Sequence, residues 1–189
     1  MTRAEDFTER WPPAYDAEDL AVQIRSLVAT GDLFERFYLN LPDDGSWCQG
    51  DIVQLESEFP YIDREGQPAV LENLGVRFWL LLSNTCDLSR SLDEVRWAQL
   101  VPLLDLNVGG EDLDVLRRYE YSRRFYVPTW ARGTEMHFVA DFTMPVTLDR
   151  PALNKAATRI AHLSFVAWVL LHSCLIRFLA RDDGRFDTG

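Results

Sequence analysis

The segment Arg77–Asp87, RFWLLLSNTCD, ends an apolar run with a thiol beside a carboxylate. A cysteine at a strand end can be a nucleophile if a neighbouring base takes its proton, so Cys86, helped by Asp87 or by a histidine brought in from elsewhere, is one candidate centre. The same residues also read as backbone punctuation. Asn84, Thr85 and Asp87 are turn formers, Cys86 serves as a small buried hydrophobe closing the strand, and Asp87 caps the LSRSLDE turn that follows. The turn reading accounts for every residue of the segment without invoking chemistry, and it is the one adopted.

A second cluster is basic and aromatic. Arg117, Arg118, Arg123, Arg124 and Arg132 are interleaved with Tyr119, Tyr121, Phe125, Tyr126 and Trp130, a pattern that can neutralise and stack a single nucleic-acid strand. The alternative is an arginine-rich surface paired with the many acids of the chain, which the overall charge favours. His137, His162 and His172 form no metal motif. His172 and Cys174, two apart on a helix, point in nearly opposite directions, so no metal site is expected. Phosphate-binding loops, dinucleotide fingerprints, HExxH and GxSxG are absent, and no cofactor is expected. Acid pairs such as Asp43-Asp44, Asp93-Glu94 and Asp182-Asp183 read as solvated loop charges.

The chain has 189 residues and a formal charge of −11, from 30 acids and 19 bases. Most of the surplus lies in residues 1–66, which hold 15 acids and 5 bases. Such a balance disfavours a general grip on phosphate backbones and suits a basic partner. Three widely spaced cysteines and no basic-apolar leader predict a reduced, cytoplasmic protein. The apolar stretch 160–176 is short for a span. On a helical projection it also carries a stripe of Lys155, Arg159, His162, Ser173, Arg177 and Arg181, so no membrane contact is expected.

Elements to position these residues follow from pattern. Asp16 can cap a helix with Leu20, Ile24, Leu27 and Val28 on one face and Gly31 at its end, and a second amphipathic element, LFERFYLNL, follows. From Gly50 the texture is that of strands: DIVQLES, PAVLE, VRFWLLLS, VRWAQLVPLL, RFYVPTW and MHFVADF, separated by turn residues. FWLLL lacks alternation, as expected of a strand covered on both faces. A helical insertion is predicted near 110–121, acidic at its start and basic at its end.

Gly50-Asp51-Ile52-Val53, then the Arg77-led strand ending Leu82-Ser83, then VRWAQLVPL, in that order over residues 49–104, resembles the PemK/MazF-like family. The resemblance implies a small SH3-like barrel and, in its best-known members, endoribonuclease activity. Arg77 matches the position of the catalytic arginine, but Phe78 stands where the family has proline and Leu104 where a hydroxyl residue is usual. Cleavage through a 2′-OH needs a base as well as a donor to the phosphorane, and Arg77 alone is only part of that set. LSNTCDL, together with RFYVPTW, FVADF and the terminal helix, is also similar to small bacterial proteins of mobile-element and phage-defence neighbourhoods.

The expectation is therefore an α+β protein: a single domain, 1–189, with a helical layer over 1–45, a small SH3-like β-barrel over 46–150 and a long C-terminal helix over 151–182. The expected function is noncatalytic, a protein-binding or regulatory subunit of a toxin–antitoxin or phage-defence system, with a protein partner and compatible with homo-oligomerisation. The alternative is a ribonuclease acting on RNA through Arg77 and the Arg117–Arg132 cluster.

Overall fold

The computed structural model describes residues 17–29, 33–40, 45–106, 112–131 and 136–179. The first helix, α1 (Ala17–Val28), buries Leu20, Ile24 and Leu27, the positions its spacing marks out. Gly31, its expected stop, lies outside the described residues. The LFERFYLNL segment is not a second helix. Residues 33–36 turn, and Tyr38–Leu39 form the short strand β1.

Two long strands follow, β2 (Asp51–Ile62) and β3 (Pro68–Leu81), then a helical turn α2 (Thr85–Leu88) and β4 (Trp97–Asp105). PAVLE and VRFWLLLS thus belong to one strand. The helical insertion is α3 (Asp112–Arg117), after which β5 (Arg124–Pro128), β6 (His137–Asp141) and β7 (Val146–Asp149) complete the middle of the chain. The C-terminal region holds α4 (Arg150–Ala156), β8 (Thr158–Leu163) and α5 (Phe165–Leu179).

These strands form one antiparallel sheet in the order β1-β8-β2-β3-β4-β6-β5, with β7 also pairing β4, curled into a half-barrel. The lack of alternation in FWLLL has a direct cause. Leu80 faces the larger core with Ile52, Val101, Phe125 and Leu170, whereas Trp79 and Leu81 face a second core with Val53, Leu100 and Leu153. Each face of this segment is covered, so neither needs polar residues.

The long terminal helix is corrected. Ala157 ends α4 with extended backbone, and the strand that follows pairs with β2, Asp51 opposite His162 and Gln54 opposite Thr158, while Leu163 pairs with Tyr38 of β1. Ser164 then starts α5, its Oγ accepting from the Ala167 N–H at 3.3 Å. The polar stripe read on a continuous helix is therefore divided: Arg159 and His162 sit on a strand. Within α5, Ala167, Leu170, Leu171 and Cys174 are buried in the larger core and the helix packs beside α1. No helix among the described residues is long and apolar enough to cross a membrane.

Candidate functional site

The most concentrated polar chemistry lies where β2 begins. Gly50 adopts φ +87°, and a Cβ there would stand 2.9 Å from Leu163 Cδ1, so the turn into β2 requires glycine for both backbone and space. That turn drives the Asp51 side chain into the protein. Asp51 is fully buried, and its carboxylate accepts from the Cys48 N–H at 2.8 Å, from Arg159 Nε at 2.9 Å and from His162 Nδ1 at 2.7 Å. Arg159 also donates to the Ser46 carbonyl and lies over the Trp47 ring at 5.1 Å. The carboxylate thus ties the entry turn to β8, and its lone pairs are largely consumed by these donors.

The neighbouring Gln49 does the same toward α5. Its Nε2 donates to the Leu82 carbonyl at 2.7 Å, and its Oε1 accepts from His172 Nε2 at 2.6 Å and from Trp168 Nε1 at 3.3 Å. The Gln49 N–H donates to Thr85 Oγ1 at 3.0 Å, which brings the α2 turn to the same corner. Gln49 and Asp51, on either side of Gly50, therefore gather β2, β3, β8, α2 and α5.

Burial holds the His172 imidazole below its ordinary value of 6.5. Its neutral form suits the folded state, so on acidification the unfolded chain takes up this proton first and the folded state loses stability between 6.5 and the depressed value. At the alkaline end, burial pushes the Cys174 thiol from 9.0 up to about 12 and raises Tyr119 and Tyr38. There the unfolded chain releases protons first, so stability falls as pH rises above 9. Urea midpoints measured across pH should show both limbs, and His172→Gln should flatten the acid limb only. An unchanged acid limb in that variant would refute the assignment.

Cys48 Sγ, an Asp51 carboxylate oxygen and a His162 ring nitrogen all lie within 4.8 Å of one another. These are metal-ligand types, but a guanidinium already occupies one carboxylate oxygen, and among the described residues no fourth ligand for a structural zinc joins them. The set is better matched to a thiol beside an imidazole whose orientation a carboxylate secures.

The residues singled out in the sequence lie elsewhere or at the margin. Cys86 is exposed rather than buried, and Asn84, not Asp87, caps the turn, its side chain accepting from the Cys86 N–H at 3.0 Å. Asp87 faces Arg90 at 3.7 Å. Arg77 is solvent-exposed, 3.8 Å from Glu56 and stacked near Phe78. It lies four residues back along β3 from Leu81, whose carbonyl accepts from the Gly50 N–H, a separation of about 13 Å from the Asp51 corner at ordinary strand rise. Arg118 pairs with Glu120 at 2.6 Å, Arg123 and Arg124 face Asp141 at 3.7 and 3.9 Å, and Arg117 lies over Tyr126; Arg132 is outside the described residues.

Sequence reasoning did not single out Cys48, Gln49, Asp51 and Arg159 as a site. One signal was present. An aspartate leading the apolar run Ile52-Val53 is disfavoured in a strand unless it has internal partners. No protein-family model and no curated protein matches the chain.

Proposed function

We propose that this chain is a noncatalytic protein-binding or regulatory subunit on a PemK/MazF-like barrel, and that it engages a basic, extended segment of a protein partner through the β2–β3 arm. The observation that carries this reading is the arm itself. Pairing of β2 with β8 stops at Gln54, and pairing of β3 with β4 begins at Phe78. Beyond those points the two strands pair only with each other among the described residues, out to Ile62 opposite Pro68.

Register shifts between Gln54 and Ser57 and between Glu58 and Phe59 bend the ribbon, and Phe59 is buried in the second core while Tyr61, Ile62 and Val70 near the tip are exposed. A two-stranded ribbon is marginal alone, and a strand edge with no further strand beside it is where an extended peptide can add. Residues 55–77 carry five acids and two bases, so charge selects a basic occupant over a second copy of this acidic chain. The setting in a toxin–antitoxin or phage-defence system belongs to the same reading.

Ribonuclease action through Arg77 has less behind it. A general base is needed beside the arginine, and the acid paired with it, Glu56 at 3.8 Å, is a solvated surface carboxylate.

The test uses the full chain co-expressed with the products of its adjacent genes. A complex is expected with one of them, and Ile62→Glu with Tyr61→Glu should weaken it about 30-fold or more without altering the melting temperature, as for loss of an apolar anchor. Separate elution from every such product, or equal binding by the double variant, would overturn the proposal. Mixed-sequence RNA incubated with wild type and Arg77→Ala serves the alternative, which requires cleavage that the variant loses.

A further inference from the structure

The corner at the start of β2 holds a thiol, an imidazole and a carboxylate that the binding reading does not use. Cys48 is partly exposed and in no disulfide, and His162 is partly exposed as well. Asp51 accepts from His162 Nδ1, which leaves Nε2 as the basic nitrogen of a neutral ring, and a ring nitrogen of His162 lies within 4.8 Å of Cys48 Sγ, a range that proton transfer can cross through one water. The charged and titratable groups around the thiol are Asp51 from β2, Arg159 and His162 from β8 and, through Gln49, His172 from α5. The Arg159 guanidinium and the Asp51 carboxylate, paired at 2.9 Å, act on a thiolate in opposite senses, so the imidazolium formed on His162 is the charge left to favour it.

The backbone decides which thiol chemistry is open. Acyl transfer develops an oxyanion that needs donors aimed at it. Here every N–H of the turn is engaged: Cys48 on the Asp51 carboxylate, Gln49 on Thr85 Oγ1, Gly50 on the Leu81 carbonyl and Asp51 on the Cys48 carbonyl. Thiol–disulfide exchange develops no oxyanion; it needs only a thiolate, a base and access.

We propose that Cys48 is a nucleophilic thiol, deprotonated by His162, and that it is a site of covalent modification by small-molecule disulfides. In the step, the Cys48 proton passes to the imidazole, the thiolate attacks one sulfur of the disulfide, a new S–S bond forms as the old one breaks, and the departing thiolate regains the proton from the imidazolium. No net oxidant beyond the disulfide is consumed. The product is a mixed disulfide at the exposed rim beside Trp47.

Cys86 and Cys174 are internal references. Cys86 is exposed without this triad, and Cys174 is buried and therefore inert. With oxidised glutathione as the probe at about pH 6.5, peptide mapping should find Cys48 modified about tenfold faster than Cys86, the net gain expected when more thiolate is partly offset by its lower nucleophilicity. The pH–rate profile of Cys48 should lie at lower pH than that of Cys86 and should move toward it in His162→Gln. His162→Gln, which can still donate to Asp51, should slow Cys48 about tenfold and leave Cys86 unchanged. The proposal is overturned if Cys48 reacts no faster than Cys86, or if a folded His162→Gln keeps the wild-type rate. Should that variant not fold, the wild-type profiles decide, and a Cys48 profile that coincides with that of Cys86 would refute it.

Discussion

Asp51→Ala is expected to lower the unfolding free energy by about 3–5 kcal/mol, because it removes one partner of a buried charge pair and leaves the other without compensation. The arginine concerned, Arg159, has a side chain only 9% exposed, and the carboxylate it loses is wholly buried. His162 and the Cys48 N–H lose their acceptor in the same substitution. Urea unfolding would measure the loss, with the exposed Arg77–Glu56 pair as a reference, where removal should cost about 0–1 kcal/mol. Arg159→Ala should also destabilise, whereas a residue on a solvated helical stripe would tolerate it. A cost below about 1 kcal/mol for Asp51→Ala would show that the network is dispensable.

Leu171→Asp should be as damaging or worse. Leu171 is fully buried on α5, in the larger core with Leu170, Ala167 and Cys174. Deleting such a leucine side chain costs about 2–5 kcal/mol by itself, and an unpaired carboxylate put in its place adds a desolvation penalty. The full-length variant is expected to show no cooperative thermal transition, or one shifted down by well over about 10 °C. Leu179→Asp, on the same helix at 72% exposure, should melt like wild type. Equal melting of Leu171→Asp and wild type would mean that α5 is not core.

The terminal region shows where reading from the chain stopped. The sequence spacing of Lys155, Arg159, His162, Ser173 and Arg177 matches one helical stripe although residues 158–163 are a strand, and the six residues TRIAHL are too short for periodicity to separate the two states. Pairing with β2 decides the matter by supplying ladder hydrogen bonds and an ion partner for Arg159, both remote in sequence. Ser164 was the available local clue, an N-cap residue in the middle of what looked like a helix. The LFERFYLNL segment failed for the same reason: its strand exists because Tyr38 and Leu39 find β8.

Local pattern was sufficient wherever neighbours in sequence supply the determining contacts. The face of α1, the helical insertion at α3, the strand character of β2 to β6 and the two-sided burial of FWLLL all follow from the spacing of apolar residues and from turn formers between them. The corner at Asp51 does not. Its carboxylate meets Arg159 and His162 across more than a hundred residues, and Gln49 meets His172 across a similar span. A buried charge survives only with such partners, and nothing in a linear pattern says which distant side chains will supply them. The sequence alone determined α1, α3 and the strands β2 to β6; only the tertiary fold made strands of Tyr38–Leu39 and Thr158–Leu163 and, by desolvating Asp51 beside β8, decided which thiol, imidazole and guanidinium share a site.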